Sequence, residues 1–286
     1  NTSVAAVQHY SGGEPWAEVV NEPGGLLPYA KKHVGELHFA DLETLVQIDA
    51  HPGLFRWIRD AWFGNPVRDK IQLETPDNYS GGTKIIELAH ARIHEVVLPG
   101  LDTLSRERRY LTLRILPRGV RRYAGHAVNP MQRDARDFYA QNFQVNIDGI
   151  DCSGVISVDP VTVRTVFPEE NKGRKSTLVF PDIHLHVDED KVDPFREWFE
   201  DFVIAGNNDD DKERFGTITY LEPLLGGPMA VLQMHHLGIY RVSDEPPAPT
   251  GPRRVRVDLY CERLELGQRE SAPTGMTEEM PPVDVY

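Results

Sequence analysis

The sequence has few cysteines, no long apolar run and no excess of positive charge, and each shortage excludes a class of protein. Two cysteines in 286 residues, Cys152 and Cys261, are too few for a disulfide framework or, alone, for a zinc site. No run of about 18 apolar residues is present, which predicts no membrane-spanning helix. The first thirty residues lack a charged segment followed by an apolar one, so we expect no signal peptide and no membrane partner.

Acidic residues outnumber basic ones by 44 to 31, and the imbalance lies in one part of the chain. Residues 1–123 hold 15 of each sign, whereas residues 124–286 hold 29 acidic and 16 basic residues. Such a surface repels a phosphate backbone, which argues against a groove that grips nucleic acid. A polyanion could still pass through an acidic or neutral channel without being held.

The sequence repeats itself at a separation of about 141 residues. At this offset an apolar i, i+3, i+4, i+7 stripe, which is typical of the buried face of a helix, occurs twice. A proline near the start of each stripe suits the first helical turn. The eight positions of the stripes are the predicted core of the two copies: Leu54, Trp57, Ile58 and Ala61, and Phe195, Trp198, Phe199 and Phe202.

Alternating apolar and polar residues surround each stripe, and this alternation is typical of half-buried strands. Residues 183–188 and 254–261 alternate in the second copy, and residues 111–115 in the first. Two glycine pairs between apolar stretches predict hairpin turns. These pairs are Gly81 with Gly82 and Gly226 with Gly227.

These patterns predict an α+β, strand-rich fold. We expect two tandem antiparallel β-barrel or β-sandwich domains, each with one main helix. The predicted divisions are a first copy at 1–123, a connector at 124–141, a second copy at 142–267 and a C-terminal tail at 268–286.

Two polar clusters are candidates for metal chemistry, and neither fits a known ligand pattern well. His184, His186 and Asp188 resemble the opening of a binuclear metallohydrolase motif, but Glu189 stands where a further histidine is expected. The acidic segment 207–211 lacks the spacing of a calcium-binding loop. We interpret the first cluster as a solvated or lumen-facing strand and the second as a solvated turn, and predict no catalytic residue, metal or cofactor.

The second copy resembles the tail tube proteins of contractile-tailed phages and related contractile injection systems. The resemblance rests on the strand Phe143-Gln144-Val145-Asn146-Ile147-Asp148-Gly149, the turn Ser153-Gly154, a charged glycine-containing loop at 171–175, the helix with Trp198, and a last strand that ends in Leu264-Glu265-Leu266. The first copy lacks the Phe-x-Val-x-Ile-Asp-Gly strand, and only Val4 to Tyr10 is available in its place.

The resemblance implies a structural protein and not an enzyme. Family members form rings in which each subunit extends the sheet of its neighbour by β-augmentation. The expected partners are other copies of the chain, in a trimeric pseudo-hexamer or a hexamer stacked into a tube, with sheath, baseplate or terminator proteins at its surface and DNA or protein cargo in its channel. The implied location is a virion tail or an injection particle assembled in the cytoplasm. The alternatives are a stand-alone two-domain binding or adaptor module and a metal-dependent hydrolase that uses His184, His186 and Asp188.

Overall fold

The computed structural model describes residues 5–23, 29–48, 52–63, 67–76, 82–125, 136–167, 176–223, 227–246 and 252–267. Antiparallel strands dominate these residues, and two helices accompany them, which confirms the predicted α+β, strand-rich class. The helices are α1 (Pro52–Phe63) and α2 (Asp193–Phe199), and α2 continues as a π-helical turn at Glu200–Ile204.

The strands follow one another in two sheets and one separate hairpin. In chain order they are β1 (Val7–Gly12), β2 (Pro15–Glu22), β3 (Lys31–Phe39), β4 (Leu42–Val46), β5 (Val67–Pro76), β6 (Thr83–Leu98), β7 (Leu101–Asp102), β8 (Leu111–Leu116), β9 (Gly119–Gly125), β10 (Phe143–Ile147), β11 (Val155–Val158), β12 (Val161–Val166), β13 (Thr177–Val179), β14 (Ile183–Asp188), β15 (Arg214–Leu221), β16 (Pro228–Asp244) and β17 (Arg254–Gly267).

The first sheet has the order β1-β4-β8-β6-β12-β13, and β5 and β9 flank the other half of the long strand β6. The second sheet has the order β10-β15-β16-β17-β14-β11-β7. Strands β2 and β3 pair only with each other within the described chain.

The two sheets contain the same module in the same order. In the first, β4 pairs with β8, β8 and β9 pair with successive halves of β6, and β6 pairs with β5. In the second, β14 pairs with β17, β17 with β16, and β16 with β15. Pro117 separates β8 from β9, and a residue without an N–H cannot continue a ladder, so one strand of the second module corresponds to two strands of the first.

Strands of each predicted copy complete the sheet of the other. Strand β12, from the second copy, pairs with β6 at the register Val161↔Leu98, and β7, from the first, pairs with β11 at Val158↔Leu101. One continuous hydrophobic cluster includes buried residues of both sheets and both helices. Each sheet therefore includes a strand from the other predicted copy. The domain limits at 123 and 142 divide the chain but not the sheets, and they remain a prediction.

Strand β1 occupies a different place from the one expected for Val4 to Tyr10. It pairs with β4, as β11 pairs with β14, so it corresponds to β11 and not to the Phe-x-Val-x-Ile-Asp-Gly strand. That strand is β10, which borders β15. No described strand borders the equivalent edge of β5 in the first module.

Candidate functional site: an unpaired hairpin and an open sheet edge

The predicted core residues of the two helices lie in the interior. Seven of the eight are buried, and Phe199 is partly buried against the core. Trp57 and Trp198 are 6% and 3% exposed, and neither indole nitrogen has a hydrogen-bond partner among the described residues. Helix α1 lies against β6 and β17, and α2 against β16.

The predicted glycine turns lie between the strand pairs β5–β6 and β15–β16. Gly81 and Gly226 are outside the described residues. Gly82 directly precedes β6, and Gly227 precedes β16 with a φ of 148° that favours glycine. The connector is described only from Arg136 onward, where Phe138 packs edge-on against Tyr220 in the core, and the tail at 268–286 lies outside the description.

The hairpin β2–β3 exposes an apolar face. Val19, Val34 and Leu37 share one side of it and are 61%, 80% and 63% exposed. On the other side Trp16, which is 51% exposed, stacks on His38 with ring centroids 4.6 Å apart. An isolated two-stranded hairpin is at best marginally stable in water, so this element is a candidate contact surface.

The hairpin β12–β13 is the counterpart of β2–β3 in the second module. Each follows the strand that pairs with the module's first core strand, β11 with β14 and β1 with β4. The registers of the two hairpins agree as well. Trp16 pairs with His38 in the hairpin β2–β3, and the residues at the corresponding positions of β12–β13, Arg164 and Val179, also pair with each other. The two hairpins differ in one respect, which is that β12 is hydrogen-bonded to β6 whereas β2 and β3 pair with no further described strand.

The strand edge that receives β12 in the first module is open in the second. Residues 95–98 of β6 pair with β12 on one side, and residues 95–97 pair with β8 on the other. The corresponding part of β16, residues 241–244, pairs with β17, and no strand within the described ranges borders its other side. The described chain therefore contains one free hairpin and one free edge of matching kind.

An ion pair joins the two strands at the occupied joint, and the counterpart of its carboxylate at the open edge is an arginine that pairs with Asp258 of β17. Glu95, whose side chain is 6% exposed, accepts a hydrogen bond from Arg164 Nε of β12 at 2.5 Å and pairs with Arg114 at 2.9 Å. The counterpart of Glu95 in β16 is Arg241, whose side chain is 62% exposed. The residue that corresponds to Arg164 on the free hairpin is Trp16.

The histidine cluster of the alternative hydrolase reading is held by separate carboxylates. His184 Nδ1 lies 2.7 Å from Asp258 Oδ1, and His186 contacts Glu245 at 2.8 Å and Asp159 at 3.0 Å. Asp188 accepts a hydrogen bond from the N–H of Asp190 and caps a short helical turn. The three residues are not brought together as ligands.

The acidic segment 207–211 is an exposed turn that begins beyond the π-helical turn. Asn207 Nδ2 donates to Asp201 Oδ1 at 2.6 Å, and Lys212 Nζ pairs with Asp211 at 3.1 Å. These contacts are local and hold Asn207 and Asp211 against neighbouring side chains.

Sequence patterns did not identify either the hairpin or the open edge as a site. A signal for the hairpin was present, because Trp16, Val19, Val20, Val34 and Leu37 lie close together in a polar part of the chain. The open edge had no signal, since it is defined by the lack of a neighbouring strand.

Comparison with family models and with curated proteins finds no match for the chain. No helix among the described residues is long and apolar enough to cross a membrane.

Proposed function

We propose that the chain is a structural subunit of a phage tail or a phage-tail-like injection particle and assembles by β-augmentation into a closed ring with a central channel. The observation that carries this proposal is the hairpin that has a docked counterpart inside the same chain. The chain already contains the joint once, between β12 and β6. A second chain supplies the partner for the remaining hairpin and the remaining edge.

The register of the second joint follows from the first. Thr162 pairs with Val97 in the internal joint, and the corresponding residues are Glu14, which directly precedes β2, and Ser243 on β16. In the same register Trp16 lies opposite Arg241 of the next chain. A guanidinium beside an indole ring is a favourable contact, so the exposed pair suits this joint.

The joint is heterologous, because a hairpin of one chain meets an edge of the next, and such contacts either close into a ring or form an open helix. If the joint between chains repeats the rotation of the joint within a chain, each chain contributes two of the ring's positions. A sixfold arrangement of modules then closes with three chains, the trimeric pseudo-hexamer.

The ring's partners and cargo follow from its architecture. Stacked rings would form a tube that carries DNA or protein without specific binding, and sheath, baseplate or terminator proteins would contact its outside or its ends. An overall excess of acidic residues supports passage of a polyanion without retention. The corresponding location is a virion tail or an injection particle.

Cysteine cross-linking between chains tests the joint. The double variant Glu14→Cys, Ser243→Cys should form covalent trimers on mild oxidation, because paired residues of adjacent antiparallel strands lie within disulfide distance. The native Cys152 and Cys261 do not interfere, since burial raises the pKa of each thiol to about 11 and keeps it protonated. Non-reducing gels and analytical ultracentrifugation measure the outcome, with a trimer of about 97 kDa, three times the 32.4 kDa of the chain.

The matched control is Glu22→Cys, Ser243→Cys, which moves the hairpin cysteine to the far end of β2. Eight residues along a strand span about 26 Å, so this variant should give no trimer. Monomer alone across micromolar concentrations would contradict ring assembly and favour the two-domain binding module. Equal cross-linking of both variants would contradict the register.

A further inference from the structure

Three potential metal ligands meet on the second sheet, away from the hairpin and the open edge. Glu213, His236 and Glu262 each offer one ligand atom, and these atoms lie within 4.8 Å of one another. Among the residues that the structure describes, no other group of three or more His, Cys, Asp or Glu side chains has this geometry. Glu213 immediately precedes β15, His236 lies within β16, and Glu262 lies within β17, so the cluster joins three neighbouring strands.

A bulge in β16 turns His236 toward the two carboxylates. The register between β15 and β16 shifts from Arg214↔Leu237 to Gly216↔Met234, which leaves an extra residue in β16 at this point. His236 has a φ of 55°, in the left-handed region that non-glycine residues seldom occupy. Its Nδ1 atom lies 2.9 Å from Glu213 Oε2.

Glu213 is held in place from a second direction. Its side chain is 8% exposed, and its Oε1 accepts a hydrogen bond from the Tyr260 hydroxyl at 2.6 Å. Gly238 makes room for this side chain, since a Cβ there would lie 2.1–2.3 Å from two ring carbons and the hydroxyl oxygen of Tyr260. A hydrogen bond from an outer group that orients a carboxylate ligand is a common feature of metal sites.

We propose that Glu213, His236 and Glu262 bind a divalent first-row transition metal ion of the zinc class. One imidazole nitrogen and two carboxylate oxygens are ligand types that Zn²⁺ accepts, and three protein ligands leave one tetrahedral position for water. Ligand atoms around such an ion lie about 3.3 Å apart, which small side-chain rotations reach from the present positions. The ion would link three strands beside the bulge and so stabilise the sheet where its ladder is interrupted.

The first module lacks this site although it has a similar histidine. His90 lies within β6, has a φ of 47°, and places Nδ1 3.6 Å from Asp69 Oδ1. Arg118, in the turn between β8 and β9, takes the position that Glu262 has in the second module, and its backbone N–H donates to the carbonyl of Ala89. A cation in the place of the third carboxylate opposes metal binding, so the first module is a control within the same chain.

Metal titration of the purified full chain tests the proposal. After treatment with EDTA, isothermal titration calorimetry with Zn²⁺ should give one site per chain, and Co²⁺ should give visible absorbance bands of a low-coordinate site. Glu262→Gln should weaken Zn²⁺ affinity at least about tenfold, and Tyr260→Phe should weaken it as loss of an orienting hydrogen bond does, about 10- to 100-fold. Glu262 is exposed, so its variant should fold normally, as circular dichroism can verify.

Two control variants separate this site from other histidines. His90→Gln, and the double variant His184→Gln, His186→Gln, should leave the affinity and the Co²⁺ spectrum unchanged. Saturable binding that survives Glu262→Gln and His236→Asn but falls in either control would overturn the assignment. Failure to bind Zn²⁺ below ~1 mM would overturn it as well. None of these results depends on ring assembly, which the cross-linking experiment tests separately.

Discussion

Trp57 and Trp198 place the same group in the core of both modules. Each is a large aromatic side chain on the inner face of its helix, with an indole N–H that has no hydrogen-bond partner in the described part of the chain. Arg214 lies over the Trp198 ring at 5.0 Å from its centroid. Burial of ring area, and not hydrogen bonding, therefore accounts for the contribution of these residues to stability.

Truncation of Trp198 should be costly. Trp198→Ala is expected to lower the free energy of unfolding by about 3–5 kcal/mol, because the change removes buried area and leaves a cavity. Urea denaturation followed by circular dichroism measures this difference. Ile204→Ala, at a 65% exposed position at the end of the same helical segment, should change it by less than about 0.5 kcal/mol. A loss below about 1 kcal/mol for Trp198→Ala would mean that the ring is not packed as described.

At the scale of elements, sequence patterns identified strands that are buried on one face and missed those that are not. Strands β8, β14 and β17 alternate in sequence because one face of each packs on the core. Strands β2 and β3 are exposed over most of their length, so burial does not impose alternation on them. The pairing of β1 with β4 was not visible in sequence either, because a short apolar stretch does not reveal which neighbour it pairs with.

Strand β9 adds positive charge to the sheet beside the hairpin β5–β6. The segments 71–88 and 217–234 contain a single cation, Lys84, so their sequence alone predicts a surface poor in positive charge. The structure pairs β9 with β6 and so brings Arg121 and Arg122 to this sheet. Sequence separation concealed the neighbour, since β9 lies about 35 residues after β6 begins.

A hydrogen-bond network on this three-stranded region should show in pH titrations. Lys70, Gln72 and Tyr123 all donate to Glu87 Oε2, at 2.6, 3.0 and 3.0 Å, and these bonds, led by that from Lys70, lower the pKa of Glu87 to about 2. A pKa lower in the folded than in the unfolded state stabilises the fold above the unfolded value of 4.5, and this contribution is lost as the pH falls toward 2.

The carboxyl carbon NMR signal of Glu87 should therefore show no titration midpoint between pH 6 and 3. Glu87→Gln should also reduce the drop in melting temperature between pH 5 and pH 3, because the variant has no carboxylate to protonate. Glu36→Gln removes the same charge from the exposed hairpin and serves as the control. A Glu87 midpoint near 4.5 would contradict the network.

For the molecule as a whole, the repeat was visible in sequence and the joint between modules was not. The stripes around Trp57 and Trp198 identified two helices that the structure places on two modules of equal strand order. The exchange of β12 and β7 between sheets could not be predicted, because backbone pairing of edge strands depends little on side-chain identity. The free hairpin and free edge followed only once both modules could be compared.

A chain without its hairpin should act as a terminator of assembly. Ala40 N donates to Glu14 O at 2.9 Å, so replacement of Pro15–Phe39 by Asn-Gly can close β1 and β4 with a tight turn. In the proposed assembly, such a variant would offer its open edge to one neighbour but would lack the hairpin that docks on the next. In an equal mixture with the unaltered chain, only about one-eighth of randomly formed trimers would contain three hairpins and close.

Sedimentation velocity of a refolded equal mixture measures the fraction of closed rings. The control is an equal mixture of two unaltered preparations, one of them carrying a silent affinity tag, which should retain its full ring content. If the test mixture kept about half of the ring content of the control, the variant would only dilute the unaltered chain. That result would contradict a ring in which the hairpin of each chain docks on the sheet edge of the next.

Strand β10 gives the second module a border that the first does not have within the described chain. In a ring of three chains, the modules would line the channel six times, but this border would recur only three times around the circumference. Such a ring would present sixfold repetition to a neighbour that contacts what the modules share, and threefold repetition to one that contacts β10. A ring built from chains with two modules each would thus offer a sixfold contact surface and a threefold contact surface within the same ring.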